Sequence, residues 1–252
     1  MKDLFYKRSH AASIIDDKDI DAAFVFCDKY KQFLDCAKTE REAATEIEKQ
    51  LKAKNFKSYK YGDKIVAGDM IFMNNRAKSI IAAKIGKDSI DTGVNILVAH
   101  IDSPRIDLKQ NPLYQNSEIA LFKTHYYGGI KKYQWTTIAL ALHGVIIKSD
   151  GTKIQVNIGE DEHDPVFCIS DLLPHLAQEQ MKRDASEIIK GEELNVMVGS
   201  LPFKNTKNAE KVKANILSIL HDKYGIVEKD FLSAELELVP QNKAKDVGFD
   251  RS

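Results

Sequence analysis

The sequence has no glycine or proline before Gly62, and only 13 glycines and 6 prolines in 252 residues. So long a stretch without a breaker leaves the start of the chain free to be helical. Cysteine is scarce too: Cys27, Cys36 and Cys168 are an odd number with no CxxC or CxxH pairing. They read as reduced, semi-buried thiols and give neither a disulfide framework nor a paired metal motif. Net charge is absent, with 37 Lys+Arg against 37 Asp+Glu. The general electrostatic pull toward nucleic acid or an anionic membrane is therefore missing, and neither is expected as a partner. No apolar run approaches the roughly 18 residues of a membrane span, and the charged Met1 to His10 stretch carries no signal-peptide core. The expected setting is a reducing cytoplasm. HExxH, a Walker loop, GxGxxG and GxSxG are all lacking, as are internal repeats and low-complexity segments.

What is present is an ordinary globular composition, 43% hydrophobic and 29% charged. At roughly 100–200 residues per domain, the length permits one large domain or two modest ones. Apolar residues recur at helical spacing from residue 17 to about 53 (Ala22, Val25, Phe26, Tyr30, Phe33, Leu34, then Ala43, Ala44, Ile47, Leu51). Thr39, followed by Arg41, Glu42 and Glu46, marks a second helix start, so two helices or one bent helix are expected. From residue 64 short apolar runs predict strands at 65–67, 70–73, 79–85 and 95–100, punctuated by Gly, Asn and Asp. The run Asn95 to His100 is almost continuously apolar, as in a strand buried on both faces. A second β-rich stretch covers 105 to 160, with strands at 119–127, 136–148 and 153–158. Asp171 to Lys182 reads as a short helix and 183–206 as polar turns. Asn208 to Lys223 reads as an amphipathic helix stopped by Gly225, and Phe231 to Val239 as a half-exposed strand.

The most informative local feature is His100-Ile101-Asp102-Ser103 at the end of that buried run. In extended chain, residues i and i+2 point to one side, so His100 and Asp102 face one space. A metal-ligating imidazole is ordinarily held in one tautomer by a neighbouring carboxylate. Alone, HxD is equally the pattern of a hydrogen-bonded strand-end histidine beside an exposed turn aspartate. The other histidines carry less: His125 and His143 lie in predicted strands and read as structural, His163 sits in an acidic turn, and His175 in a short helix.

Val98 to Arg105 resembles the AHxDSP signature of the aspartyl aminopeptidase family of zinc metallopeptidases. Tyr126-Tyr127-Gly128-Gly129-Ile130 resembles the family's YGGG turn with one glycine replaced, Leu173 to Ala177 resembles IPHLA, and Leu238 to Ser252 resembles its V-P…A-x-D-V-G-x-D-R-S stretch. The resemblance spans essentially the whole chain and is nearest to the bacterial aminopeptidase 1 branch. It implies an α/β fold: residues 1–104 as the N-terminal part of a catalytic domain with helices around a mixed sheet, 105–238 as an inserted β-rich dimerisation domain, and 239–252 as a segment returning to the catalytic domain. It implies two zinc ions (cobalt or manganese being possible substitutes), a peptide substrate cut at its N-terminal residue, and a homo-oligomer. His100 becomes a metal ligand and Asp102 its catalytic orienter. His175 becomes the candidate for the histidine that the inserted domain sends toward a neighbouring subunit's site, with Gln178 or Glu179 as alternatives at that place.

Family members are nearly twice this long. Their bridging aspartate, catalytic glutamate and remaining ligands lie downstream of the DRS motif, whereas this sequence stops at Ser252. The expectation is an aminopeptidase chain lacking the second half of its active site and inactive alone. The competing reading is a non-catalytic assembly or regulatory module that keeps only the dimerisation surface.

Overall fold

A computed structural model describes residues 4–204, 207 and 209–251. The breaker-free start forms two helices, α1 (Asp17–Cys36) and α2 (Glu40–Ala53). Thr39 separates them through a reciprocal cap. Its Oγ1 accepts from the Glu42 amide and its own amide donates to Glu42 Oε2, at 3.3 and 3.1 Å. A small mixed sheet follows: β1 (Lys57–Ser58) runs parallel to β2 (Met70–Asn75), which pairs antiparallel with β3 (Ser79–Lys84). Arg76 and Ala77 take positive φ in the tight turn between β2 and β3.

Residues 105–240 supply a second, six-stranded antiparallel sheet. Its strands are β4 (Arg105–Asn116), β5 (Ile119–Tyr127), β6 (Leu140–Ile147), β7 (Lys153–Ile158), β8 (Val196–Gly199) and β9 (Ala234–Pro240), in the order β7-β6-β9-β4-β5-β8. One face carries the core, with Ile106, Phe122, Leu140, Leu142, Ile146, Leu236 and Leu238 all under 5% exposed. Helix α3 (Lys211–Tyr224) and Phe231 close that face, the Phe231 ring meeting Phe122 edge-on at 5.9 Å. Helix α3 ends where Gly225 turns left-handed (φ +63°) and donates to the His221 carbonyl. The predicted start of that helix at Asn208 lies outside the described residues.

Several expectations change. The Asn95–His100 run forms no strand: Leu97 and Val98 are fully or almost fully exposed, because no strand of the described residues lies beside it. Residues 65–67 are irregular chain leading into the turn at 67–68 rather than strand. Asp171–Lys182 is a series of turns ending in one 3-10 turn at Gln180–Lys182; only Ala177 is buried there, and Leu172, Leu173 and Leu176 face outward, so no apolar stripe supports a helix. Strand β4 falls inside the expected β-rich stretch without having been singled out, and β1 and β8, with weaker apolar patterning, are additional to the expectation. Strand β9 is not half-exposed, since it lies between β6 and β4 with Leu236 to Val239 all buried. Cys27 and Cys36 are exposed rather than semi-buried, and none of the three cysteines is bridged. The apolar face of α1 buries nothing, leaving Val25 and Phe26 more than half exposed. No helix of the described residues is long and apolar enough to cross a membrane.

Close approach of β6 to β9 depends on Gly144, whose φ is +137° and whose missing Cβ would lie inside van der Waals contact of the Glu235 carbonyl. Gly144→Ala is expected to destabilise the protein by about 3 kcal/mol or more, against about 1 kcal/mol for Gly151→Ala, where φ is also positive but the space is open. Urea unfolding of the two variants checks the contrast.

Candidate functional site

The face of the large sheet opposite the core is charged, and strand periodicity explains why. Arg105 and Asp107 on β4, Glu235 and Glu237 on β9, and His143 on β6 alternate with the core residues and so share one side. The register sets Asp107, Glu237 and His143 in one cross-strand row. The N-terminus of α2 covers that row. Glu40 Oε2 lies 3.2 Å from Arg105 Nη1, Arg41 and Lys78 both pair with Glu235, and Lys78 reaches Glu40 at 3.1 Å. Glu42, already half of the helix cap, uses its free oxygen on His143 Nδ1 at 2.6 Å, while Glu160 takes His143 Nε2 at 3.0 Å and Lys38 Nζ at 2.6 Å.

Glu237 is the unusual member of this seam. It is 2% exposed, its Oε1 stands 3.3 Å from Arg105 Nε, and its Oε2 has no hydrogen-bond partner. Burial, then the nearby Glu40 charge, pushes its carboxyl up to about 8. With Glu237 neutral, Glu40, Glu235 and Asp107 face Arg41, Lys78 and Arg105, one anion for each cation. One oxygen from each of Glu40, Glu235 and Glu237 lies within 4.8 Å of the others, the only such convergence of three metal-capable side chains among the described residues. Three cationic side chains already occupy that environment, so it is poorly suited to a metal ion.

The HxD segment lies just upstream of β4, on the surface. His100 Nδ1 is 2.8 Å from the Asp102 carbonyl and 3.2 Å from Asp102 Oδ1. Both partners are acceptors, so Nδ1 carries the proton and the Nε2 lone pair is free. Asp102 Oδ2 accepts from the Tyr127 hydroxyl at 2.8 Å, and that bond holds Asp102 below the usual carboxylate range. The expected pairing of His100 with Asp102 is therefore present, on an irregular segment and not on a buried strand. His100 fits a metal as a single imidazole donor; zinc takes about four ligands, so the rest of an enclosing set must come from elsewhere. His175 is exposed in the turn region 173–176 and makes no hydrogen bond or ion pair with His100 or Asp102. Sequence reasoning missed Tyr127, Arg105 and Glu237. The first two lie in or beside quoted motifs, whereas Glu237 gave no signal, because an outward glutamate on an alternating strand looks solvated.

The family described as aminopeptidase I zinc metalloprotease (M18) matches residues 33–252. A probable M18 family aminopeptidase 1 from Clostridium acetobutylicum is 50% identical over 99% of this chain, which covers 55% of that relative. The crystal structure of an M18 family aminopeptidase from Thermotoga maritima superposes with a TM-score of 0.90 at 43% identity, covering 98% of this chain and 54% of that one. The crystal structure of aminopeptidase I from Clostridium acetobutylicum gives 0.86 at 47% identity, covering 99% and 56%. The chain thus spans about half the length of the relatives it matches.

Since Glu237 is protonated more readily folded than unfolded, its contribution to stability is full below its ordinary value of 4.5 and is lost as pH rises through about 8. Unfolding free energy is expected to fall between pH 5 and 9 by on the order of 2–4 kcal/mol from this group. Glu237→Gln should flatten that slope, matching the parent near pH 4 and exceeding it by a growing margin from pH 5 to pH 9. Chemical denaturation across pH, with circular dichroism, measures both.

Proposed function

The chain belongs to the aminopeptidase I zinc metalloprotease (M18) family, and on that premise we propose that it forms the N-terminal half of a zinc-dependent aminopeptidase that removes N-terminal residues from peptides. The observation that carries the site assignment is His100, whose Nδ1 is engaged by Asp102 and whose Nε2 is left free as a donor. In this reading His100 is a zinc ligand and Asp102 fixes its tautomer and direction without touching the metal. Bound zinc supplies Lewis-acid polarisation of the scissile carbonyl and lowers the pKa of water. The remaining ligands and the general base come from the C-terminal half of the family architecture. His175 is assigned to reach a neighbouring subunit's site, either as ligand or as substrate contact; its exposure is compatible with that.

Residues 1–104 are proposed as the first part of the catalytic domain, 105–238 as the inserted dimerisation domain, and 239–252 as the return segment. Two features support the division. The large sheet is made from Arg105–Pro240 alone. Ile96, Leu97 and Val98, with Val25 and Phe26 on α1, expose the apolar surface that the second half of a catalytic domain would cover. Self-association is assigned to 105–238, where β7 and β8 are the edge strands of the sheet, β8 being met on its outer side by the bridge between Met197 and Cys168.

The 252 residues alone are expected to release nothing from aspartyl or leucyl anilides with zinc, cobalt or manganese. Chelator-sensitive turnover should appear when the C-terminal part of the Clostridium acetobutylicum relative is co-expressed with them, and should be lost in His100→Ala. Chelator-sensitive turnover by the 252 residues alone would show that they hold their own base and reject the half-site reading. Light scattering at tens of micromolar should report a dimer or larger; a clean monomer removes the dimerisation role of 105–238.

A further inference from the structure

Tyr127 sits at the end of β5, directly across the ladder from Arg105. Its hydroxyl donates to Asp102 Oδ2 at 2.8 Å. Its ring lies beneath the Arg105 guanidinium, 4.0 Å from the ring centre. Arg105 is itself immobilised: it is 7% exposed, its Nε donates to Asp107 Oδ1 at 2.7 Å, and Glu40 and Glu237 stand at 3.2 and 3.3 Å. The next residue after Tyr127, Gly128, turns with φ +81°, and a Cβ there would touch Pro104, so the end of β5 lies against the segment that carries Asp102.

By contrast, apart from the 2.8 Å approach of His100 Nδ1 to the Asp102 carbonyl and its 3.2 Å approach to Oδ1, His100 and Asp102 have little else to hold them. Their side chains are 82% and 39% exposed, on a segment with no regular structure. A carboxylate in that setting takes its direction from whatever it bonds. We propose that Tyr127 is a positioning residue for the metal site: its hydroxyl pins Asp102, which in turn keeps His100 in the Nδ1–H form with Nε2 free. The buried charged seam is thereby linked to the exposed imidazole through Arg105, Tyr127 and Asp102. The inference rests on His100 being a metal ligand, and deepens that reading by extending the site into the β-rich region.

Histidine 15N spectra of the metal-free 252-residue chain test it. The neutral His100 ring should be mainly the Nδ1–H tautomer in the parent. Tyr127→Phe keeps the ring under Arg105 and removes only the hydroxyl, so its melting midpoint should stay within about 2 °C. The tautomer ratio should move toward Nε2–H by roughly 2- to 10-fold, the size a single hydrogen bond supports. In an Asp102→Ala background, which removes both side-chain acceptors, Tyr127→Phe should add nothing. An unchanged ratio in Tyr127→Phe, or an equal change whether or not Asp102→Ala is also present, overturns the proposal. If Tyr127→Phe melts earlier, Asp102→Ala decides alone, since an unchanged His100 ratio there breaks the relay at its last link. No metal, substrate or C-terminal half is in the sample, so a negative result leaves the aminopeptidase reading standing. Loss of the metal role of His100 would withdraw the functional part of the proposal and leave only the Tyr127–Asp102–His100 tautomer coupling that the spectra measure.

Discussion

One face of the central strands is charged and yet covered, and the arrangement of the chain depends on how that charge is satisfied. Arg105 is the pivot. It meets Asp107 on its own strand, Glu237 on β9 and Glu40 on α2. Ion pairs of this kind gain little net stability, because desolvation offsets most of the attraction. Removing one partner costs far more, since it strands the other. The seam therefore acts mainly on specificity: α2 docks on β9 and β6 in the register that sets Arg41, Lys78 and Arg105 beside carboxylates.

Helix capping and docking are joined at Glu42. One oxygen closes the cap with Thr39, and the other bonds His143 on β6. The start of α2 is thus fixed to the same row that holds Glu237. The short tail after β9 adds a second tie, as Lys38 donates to the carbonyls of Pro240 and Gln241, and Asp35 accepts from the Ala244 amide. Regions 1–104 and 105–240 are held together by polar contacts of defined direction, while the apolar surfaces of α1 and of residues 96–98 remain exposed.

That contrast bears on function. The polar seam gives a rigid base three residues downstream of Asp102, and the His100 imidazole lies on an irregular segment just upstream of it. The exposed Ile96-Leu97-Val98 run has the composition of a central strand without flanking strands to pair with. The chain belongs to the M18 family and covers about half of each relative's length.

Elements whose signal is local were legible in the order of amino acids. These are the two N-terminal helices and the cap at Thr39, the turn-punctuated strands β2, β3, β5, β6 and β7, α3 with its stop at Gly225, and the His100–Asp102 pair with its family signature. Periodicity and capping read those directly, because neighbours in sequence supply the interactions. The remainder turned on contacts between distant segments. Whether Asn95–His100 is a strand depends on partners far away in sequence, and the Asp171–Lys182 pattern lost its helix because no surface met its leucines. Glu235 and Glu237 looked solvated on an alternating strand and became buried, since only the strand order places α2 over them. Tyr127 reaches Asp102 for the same reason: strand register sets it opposite Arg105, and register is a property of pairing between segments that neither segment encodes alone.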